Sequence, residues 1–436
     1  MNERRKTLLK YVIPTLLASC SSFLYIIVDG IFVGQGVGKE ALGAVNLALP
    51  FTLISTALGM LMTIGGITVA AIRLGRQDNN GANNAFMHAV TASSLIGLLL
   101  MLAGMIFAEQ IAVISGANGT FLKMTADYIF YYSMFSLPFL ISITLQGFVR
   151  NDGSPVLVSI AVISAAATNI ILDWLFVFPL QMGIKGAAIA SGLGQVIGLI
   201  ILIFHFVRQR GVLRFKKFKL SVSLLLKLFK RGLPEMISQF GTPITTLCLN
   251  NILVRTMGDI SVSAFSVMSY ILSFSMGIFF GVAEGIQPLI GNSYGAKNER
   301  NLKYYFRSGI LMNTIGSLLI YIVTSVFGLY ICGIFNSDPV LGRTAAEALP
   351  KFGWSFLFIA LNLTVSAYLY STKRTAQAVG IAVMRCIILN SVIILFLPQI
   401  FGNEIIWYTS GIAEALSFII AFILLKTSER NGVVFK

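Results

Sequence analysis

Residues 165–179, AAATNIILDWLFVFP, place two polar side chains, Asn169 and Asp173, inside an otherwise apolar run. One helical turn separates them, so they share a face of the predicted helix. A carboxylate inside a membrane-embedded helix costs roughly 2.5 to 3.5 kcal/mol on insertion scales. We therefore interpret the pair as part of a functional site. The alternative is a structural aspartate tied to a neighbouring helix.

The composition around this stretch is that of a membrane protein. Of the 436 residues, 56% are hydrophobic and only 11% are charged, and the mean hydropathy is +0.84. These values exclude a water-soluble globular protein. Because a spanning helix needs about 20 apolar residues and a short connection, the length predicts about twelve spans.

The net charge of +15 is distributed between loops in a way that predicts orientation. Of the 32 Lys and Arg residues, 25 fall in alternate loops on the side of the amino terminus. By the positive-inside rule, that side and both termini are cytosolic. This alternation indicates a lipid bilayer as the partner of the basic residues and argues against nucleic acid.

Residues 208–234, RQRGVLRFKKFKLSVSLLLKLFKRGLP, form a basic, amphipathic segment. We interpret it as a linker between two halves, with part of it lying on the anionic inner leaflet. A calmodulin-like or RNA-binding segment is the weaker alternative.

The second half of the chain repeats the first at an offset near 220 residues. GKEALGAVNLA (38–48) aligns with GDISVSAFSVM (258–268), and LGRQDNN (74–80) aligns with YGAKNER (294–300). We expect an all-α polytopic protein with twelve transmembrane helices in two six-helix bundles, related by a pseudo-two-fold axis along the membrane normal. The predicted lobes are residues 1–215 and 216–436.

The repeat allows one half to serve as a control for the other. At an offset of 221, Asn169 aligns with Asn390, whereas Asp173 aligns with Ile394. Asp29, in LYIIVDG of span 1, also has no acidic counterpart. Acids needed only for the fold would be expected in both halves, so their restriction to the first half indicates a function.

Two further hydroxyl groups complete the predicted site. Tyr25 precedes Asp29 by one turn, and Ser191 lies in GAAIASGLGQ of span 6. Two carboxylates close together in a low dielectric cannot both ionise cheaply. A cluster of Asp29, Asn169, Asp173 and Ser191 is therefore predicted to take up a proton or Na⁺, and oxygen ligands alone do not choose between these ions.

Other polar groups within predicted spans are weaker candidates. A substrate cavity is predicted to involve Glu284, Gln146, Asn250 and Asn390. Glu284 either faces that cavity or braces the helix break before Pro288. Glu414 is interpreted as a bracing residue, and Arg385 either snorkels inward or pairs with an acid.

Two common enzyme motifs are missing from the sequence. HExxH and the P-loop pattern are absent, and the four cysteines lie in apolar stretches without CxxC spacing. We expect no cofactor. Transport of a substrate against its concentration gradient would be driven by an ion gradient. His88 and His205 have no acidic or cysteine neighbour at ligand spacing, which argues against a membrane-embedded enzyme.

Five motifs in order resemble the multidrug and toxic compound extrusion (MATE) family, most closely its MepA-like prokaryotic branch. They are VDGIFVGQGVGKEALGAVNLALP (28–50), RNDGSP (150–155), NIILDW (169–174), GAAIASGLGQ (186–195) and IQPLIGNSYGAKN (286–298). The resemblance covers essentially the whole chain. It implies a secondary active antiporter that exports organic, often cationic and lipophilic, compounds in exchange for Na⁺ or H⁺ by alternating access between two lobes.

The resemblance also implies residues, location and assembly. The family's amino-lobe ion site maps onto Asp29, Asn169, Asp173 and the Ser191 hydroxyl, with the Tyr25 hydroxyl and the Ala187 carbonyl as additions. It implies a monomer in the inner membrane of a bacterium or archaeon. Some relatives carry acids in spans 7 and 10, but ISQFGTPITTLCLNNIL and FGWSFLFIALNLTVSAYLY have none, which leaves Glu284 as the acid of that half. A lipid-linked precursor flippase of the wider superfamily and a membrane scaffold are the competing hypotheses.

Overall fold

Helices make up the secondary structure of the chain in a computed structural model that describes residues 3–257, 259–335 and 339–430. No strand occurs among these residues. In hydrocarbon, a single apolar segment can satisfy its backbone hydrogen bonds internally only as a helix. The all-α prediction is confirmed.

The chain divides into two compact units that meet between Met236 and Ile237. The first unit contains eight complete helices: α1 (Glu3–Gly36), α2 (Lys39–Gly75), α3 (Asn79–Ile106), α4 (Ala108–Ile114), α5 (Gly119–Ser133), α6 (Ser136–Asn151), α7 (Pro155–Val177) and α8 (Gly183–Val207).

Helix α9 (Val222–Gln239) runs across the division between the units. The second unit then contains α10 (Gly241–Thr256), α11 (Asp259–Gly295), α12 (Glu299–Val326), α13 (Gly328–Phe335), α14 (Pro339–Gly353), α15 (Ser355–Ser371), α16 (Thr375–Val383), α17 (Asn390–Phe401) and α18 (Ile406–Arg430). A π-helical turn, Met384–Leu389, joins α16 to α17 without a break.

Nine helical stretches in the described part of the chain are long and apolar enough to cross a membrane. Two bent pairs add a span each: α5 with α6, bent by 53°, and α14 with α15, bent by 42°. These eleven stretches cover eleven of the twelve predicted spans.

The predicted seventh span, residues 234–255, is not one continuous helix. Helix α9 ends at Gln239 and α10 restarts at Gly241. Pro243 has no N–H to donate to the preceding turn, so it fits the first turn of a new helix and not the middle of an old one. At 16 residues, α10 is about 24 Å long, which is shorter than the hydrocarbon core of about 30 Å.

Helix α9 packs closely on α2 through two glycines. A Cβ on Gly65 would collide with the carbonyl group of Leu228, and a Cβ on Gly232 would collide with that of Leu61. The first part of α9 therefore groups with the first unit. The predicted boundary at 215/216 lies before this segment, whereas the units in the structure divide after it.

The chain between α8 and α9 is bound to the first unit by a buried carboxylate. Asp152 accepts hydrogen bonds from the backbone N–H groups of Val212, at 2.8 Å, and Leu213, at 3.1 Å. Its Oδ2 also lies 2.8 Å from Nε2 of His205, with side-chain exposures of 2% and 0%. His205 thus has an acidic partner that is distant in the sequence.

Two side chains of α3 extend this attachment along the linker. The Arg214 N–H donates to Oδ1 of Asn83 at 2.7 Å. The Ser221 N–H donates to Nε2 of His88 at 2.8 Å, and Phe218 packs edge-on against the His88 ring. The basic linker is consequently an ordered part of the first unit.

We expect Gly232→Ala to lower the melting temperature of the purified protein, because its methyl group would meet the Leu61 backbone. Overpacking of this kind costs about 1 to 3 kcal/mol. Gly380→Ala is the matched control, since a Cβ there meets no atom within 4 Å. Equal melting temperatures for the two variants, measured by thermal unfolding in detergent, would contradict the close packing of α9 on α2.

Candidate functional site

Helix α7 lies between α1 and α8 and packs against both. Gly194 of α8 allows this close approach, since a Cβ there would press on the Ala165 carbonyl and on the Asn169 side chain. Small residues commonly permit such contacts between membrane helices. As a result the polar face of α7 is enclosed by protein, and Asn169 and Asp173 are only 2% and 1% exposed.

The structure brings together the four principal residues of the predicted ion site. Asn169 Nδ2 donates to Oγ of Ser191 at 3.2 Å, which joins α7 to α8. The carboxyl groups of Asp29 and Asp173 interact electrostatically and link α1 to α7. Three helices therefore meet at one polar cluster.

The oxygens of this cluster lack hydrogen-bond donors. Oδ1 of Asp29, Oδ1 of Asn169 and both carboxylate oxygens of Asp173 are buried without a partner. Ionised carboxylates and amide oxygens only accept hydrogen bonds, and a buried charge is costly unless it is paired. These acceptor oxygens are therefore suited to binding a proton or a small cation. Among the described residues, the cluster included, no group of three or more His, Cys, Asp or Glu side chains could hold a metal ion.

Tyrosine side chains surround the acids. Tyr25 of α1 and Tyr128 of α5 both interact electrostatically with Asp29 and Asp173. Tyr132 stacks on Tyr128 with ring centroids 6.1 Å apart. The sequence analysis missed Tyr128, although the run ADYIFYYS (126–133) signals it by placing three phenols in one span.

Ala187 is buried on α8, at 1% exposure, one turn before Ser191. Its position leaves it adjacent to the cluster along the helix.

The candidate residues for a substrate cavity are not gathered in one place. A cavity of about 50 Å³ lies in the second unit, and of the candidates in that unit only Asn390 lines it. Glu284, on α11, and Asn250, on α10, are not among the described residues that line it. Gln146, in the first unit, donates to Oγ of Ser142 on its own helix at 3.3 Å.

A buried ion pair lines the same cavity. Nε of Arg385 donates to both carboxylate oxygens of Glu414, at 2.9 and 2.7 Å, and Asn362 donates to Oε2 at 2.7 Å. Pairing with an acid, one of the two alternatives for Arg385, is confirmed, and Glu414 braces the bundle as expected. The sequence analysis missed Asn362, whose signal was an amide in the apolar run of span 10.

The π turn positions Arg385 for this pair. A π turn leaves carbonyl groups displaced from the regular α-helical pattern, and Nδ2 of Asn390 donates to the Arg385 carbonyl at 2.9 Å. Asn390 is therefore a positioning residue, a role that its alignment with Asn169 did not predict.

Two units built from long apolar helices, together with the internal repeat in the sequence, define a duplicated polytopic membrane protein. The family model MatE matches the chain twice, over residues 14–175 and 234–396. The chain belongs to the MatE family. The two matched ranges start 220 residues apart, which is the offset of the internal repeat.

Relatives match along nearly the whole chain. The chain is 25% identical to the multidrug export protein MepA of Staphylococcus aureus (strain bovine RF122 / ET3-1) over 425 residues, 96% of this chain and 93% of the relative. It is 26% identical to MepA of Staphylococcus haemolyticus (strain JCSC1435) over 432 residues, 98% of this chain and 95% of that protein.

Solved structures share the fold. A multidrug resistance MATE family transporter of the MOP superfamily, in an outward-facing conformation, matches with a TM-score of 0.92 at 21% identity, covering 99% of this chain and 96% of that one. A MATE crystal structure in the straight conformation gives 0.93 at 20% identity, covering 99% and 97%. The predicted fold, twelve transmembrane helices in two bundles, is confirmed by these matches.

We expect Asp173→Asn to raise the melting temperature of the purified protein in alkaline, sodium-free buffer. The new amide can donate to Asp29 and removes one of the two facing negative charges. In the wild type, acidification or added Na⁺ should raise the melting temperature, because a ligand at 100 times its Kd stabilises by about 2.7 kcal/mol. The variant should lose most of that response.

Asp127→Asn is the control, since Asp127 pairs with Lys185 at 3.4 Å and is 30% exposed. This variant should keep the wild-type response to pH and Na⁺. An unchanged response in Asp173→Asn would contradict cation binding at the cluster.

Proposed function

We propose that this protein is a secondary active antiporter that exports organic, cationic or lipophilic compounds in exchange for H⁺ or Na⁺. The observation that carries the proposal is the buried cluster of four oxygens without a donor, formed by Asp29, Asn169 and Asp173. Membership of the MatE family and the printed function of the MepA relatives, multidrug export, support the exported class.

The proposed mechanism follows from the position of the cluster between three helices. Asp29 and Asp173 share the coupling cation, and the hydrogen bond to Ser191 fixes the Asn169 amide beside Asp173. Loading removes the repulsion between the carboxylates, so α1 and α7 can pack tightly there. When water reaches the cluster, the carboxylates are hydrated and the cation leaves. Coupling requires that loaded and empty sites favour different conformations of the protein.

The proposed location is the inner membrane of a bacterium or archaeon, with both termini cytosolic and the protein acting as a monomer. The distribution of basic residues supports this orientation. At the linker, burial and the nearby Arg231, Arg73 and Arg76 lower the pKa of Lys227. Such a concentration of positive charge on the first unit favours contact with an anionic inner leaflet.

The flippase hypothesis has less support. It requires a cationic cavity that binds a pyrophosphate, and Arg385 is the candidate cation within the predicted spans. In the structure this charge is neutralised by Glu414, at 2.7 Å.

In proteoliposomes with an imposed H⁺ or Na⁺ gradient, Asp29→Asn and Asp173→Asn should each reduce gradient-driven efflux of a fluorescent organic cation roughly tenfold or more. Each substitution removes one of the two negative charges whose attraction offsets the desolvation of a buried cation. Applying the two gradients separately identifies the coupling ion.

Glu404→Gln is the control for efflux, because it removes an exposed carboxylate that pairs with Lys351. It should leave transport at the wild-type rate. Gradient-driven efflux retained in a folded Asp173→Asn variant would rule out the assignment of the site.

Ser191→Ala should raise the ion concentration needed for half-maximal efflux by about two- to tenfold, the range expected for loss of one hydrogen bond. Ser191→Thr keeps the hydroxyl group and should stay near the wild-type value. Ion titrations of efflux measure both variants, and identical curves for Ser191→Ala and the wild type would exclude Ser191 from the site.

A further inference from the structure

Arg374, between α15 and α16, is a buried cation with no hydrogen-bond acceptor. The residue is 5% exposed. Across the part of the chain that the structure describes, Nε, Nη1 and Nη2 have no hydrogen-bond partner. The guanidinium lies over the face of the Tyr368 ring, 5.6 Å from the ring centroid. Burying an unpaired charge costs several kcal/mol, so a favourable partner of opposite charge is expected.

Further donors lie at the same place. Arg374 is the N-cap residue of α16, and its side chain makes no capping hydrogen bond to the first turn. The uncapped N–H groups of a helix start attract anions. Oγ of Ser371, three residues before Arg374, is also buried without a partner. Guanidinium, hydroxyl and helix start together form a donor-rich site.

The corresponding loop of the first unit carries its own anion. By their positions between the helices, Asp152 corresponds to Thr372, each a helix C-cap, and Ser154 corresponds to Arg374, each the N-cap of the next helix. Both carboxylate oxygens of Asp152 take part in hydrogen bonds, with His205 and with two backbone N–H groups of the linker. The second half thus has a neutral residue in place of the acid and a base in place of Ser154, so the loop that supplies negative charge in one unit requires it in the other.

We propose that Arg374, Ser371 and the start of α16 bind a phosphate group. A guanidinium matches phosphate through paired hydrogen bonds, and a phosphate has enough oxygens to reach the helix start as well. The group can belong to an anionic phospholipid of the inner leaflet or to a free phosphate. This site is independent of the export function proposed above and of the acids in the first unit.

The test measures the melting temperature of the full-length protein, delipidated in an uncharged detergent, at constant ionic strength. The probes are inorganic phosphate, dioctanoylphosphatidylglycerol and, as a phosphate-free control, dioctanoylglycerol. We expect the wild type to be stabilised by a phosphate-bearing probe and not by dioctanoylglycerol. A response to the phospholipid at a concentration at least about tenfold below that of inorganic phosphate assigns the group to a lipid, and equal potency assigns it to free phosphate.

Two variants decide whether the response belongs to this site. Arg374→Gln should lose it, and should melt at or above the wild-type temperature without probes because an unpaired buried charge has been removed. Arg300→Gln, at an exposed cation near the start of α12, should respond like the wild type.

Three results would overturn the proposal. The first is the same phosphate response in the wild type and Arg374→Gln. The second is a lower melting temperature of Arg374→Gln without probes, which would show that the charge already has a structural partner. The third is a wild-type protein that neither phosphate-bearing probe stabilises.

Discussion

The buried contact between the carboxyl groups of Asp29 and Asp173 is the constraint on which the first unit depends. It joins α1 to α7 with two groups that repel each other when both are ionised, in surroundings that shield charge poorly. Such a contact persists only if the helices are held by other means and if a positive partner is available. Gly194 and the bond from Asn169 to Ser191 provide the first condition by fixing α7 on α8.

The acids and the helices that carry them could be predicted from the sequence because their signals are local. Asn169 and Asp173 are one turn apart in an apolar run, and the internal repeat showed that the second half lacks the acids. The continuous spans were predicted for the same reason, since 20 apolar residues have few alternatives in a bilayer. What the sequence could not show is which oxygens lack donors, because that depends on the neighbouring helices.

The features that the sequence analysis missed depend on contacts between distant residues or on departures from regular helix geometry. Tyr128 reaches the acids from another helix, and the linker is held by Asp152, 60 positions before Val212. The π turn that positions Arg385 leaves no mark in hydrophobic periodicity over six residues. Gly241 and Pro243 are a sequence signal for the break between α9 and α10. A polar stretch that contains proline is also compatible with a kinked but continuous span, so the signal does not distinguish the two.

The two units use buried charge differently, which has an electrical consequence. In the second unit, the charges of Arg385 and Glu414 cancel. The ion pair therefore carries no net charge, even when the two side chains move together. The acids of the first unit have no base beside them, and their total charge changes by one whenever a monovalent cation enters or leaves. A displaced elementary charge is worth about 2.3 kcal/mol per 100 mV of membrane potential. Under the proposed cation binding, voltage across the membrane therefore acts on the loading of the first unit and exerts no net force on the neutral ion pair of the second.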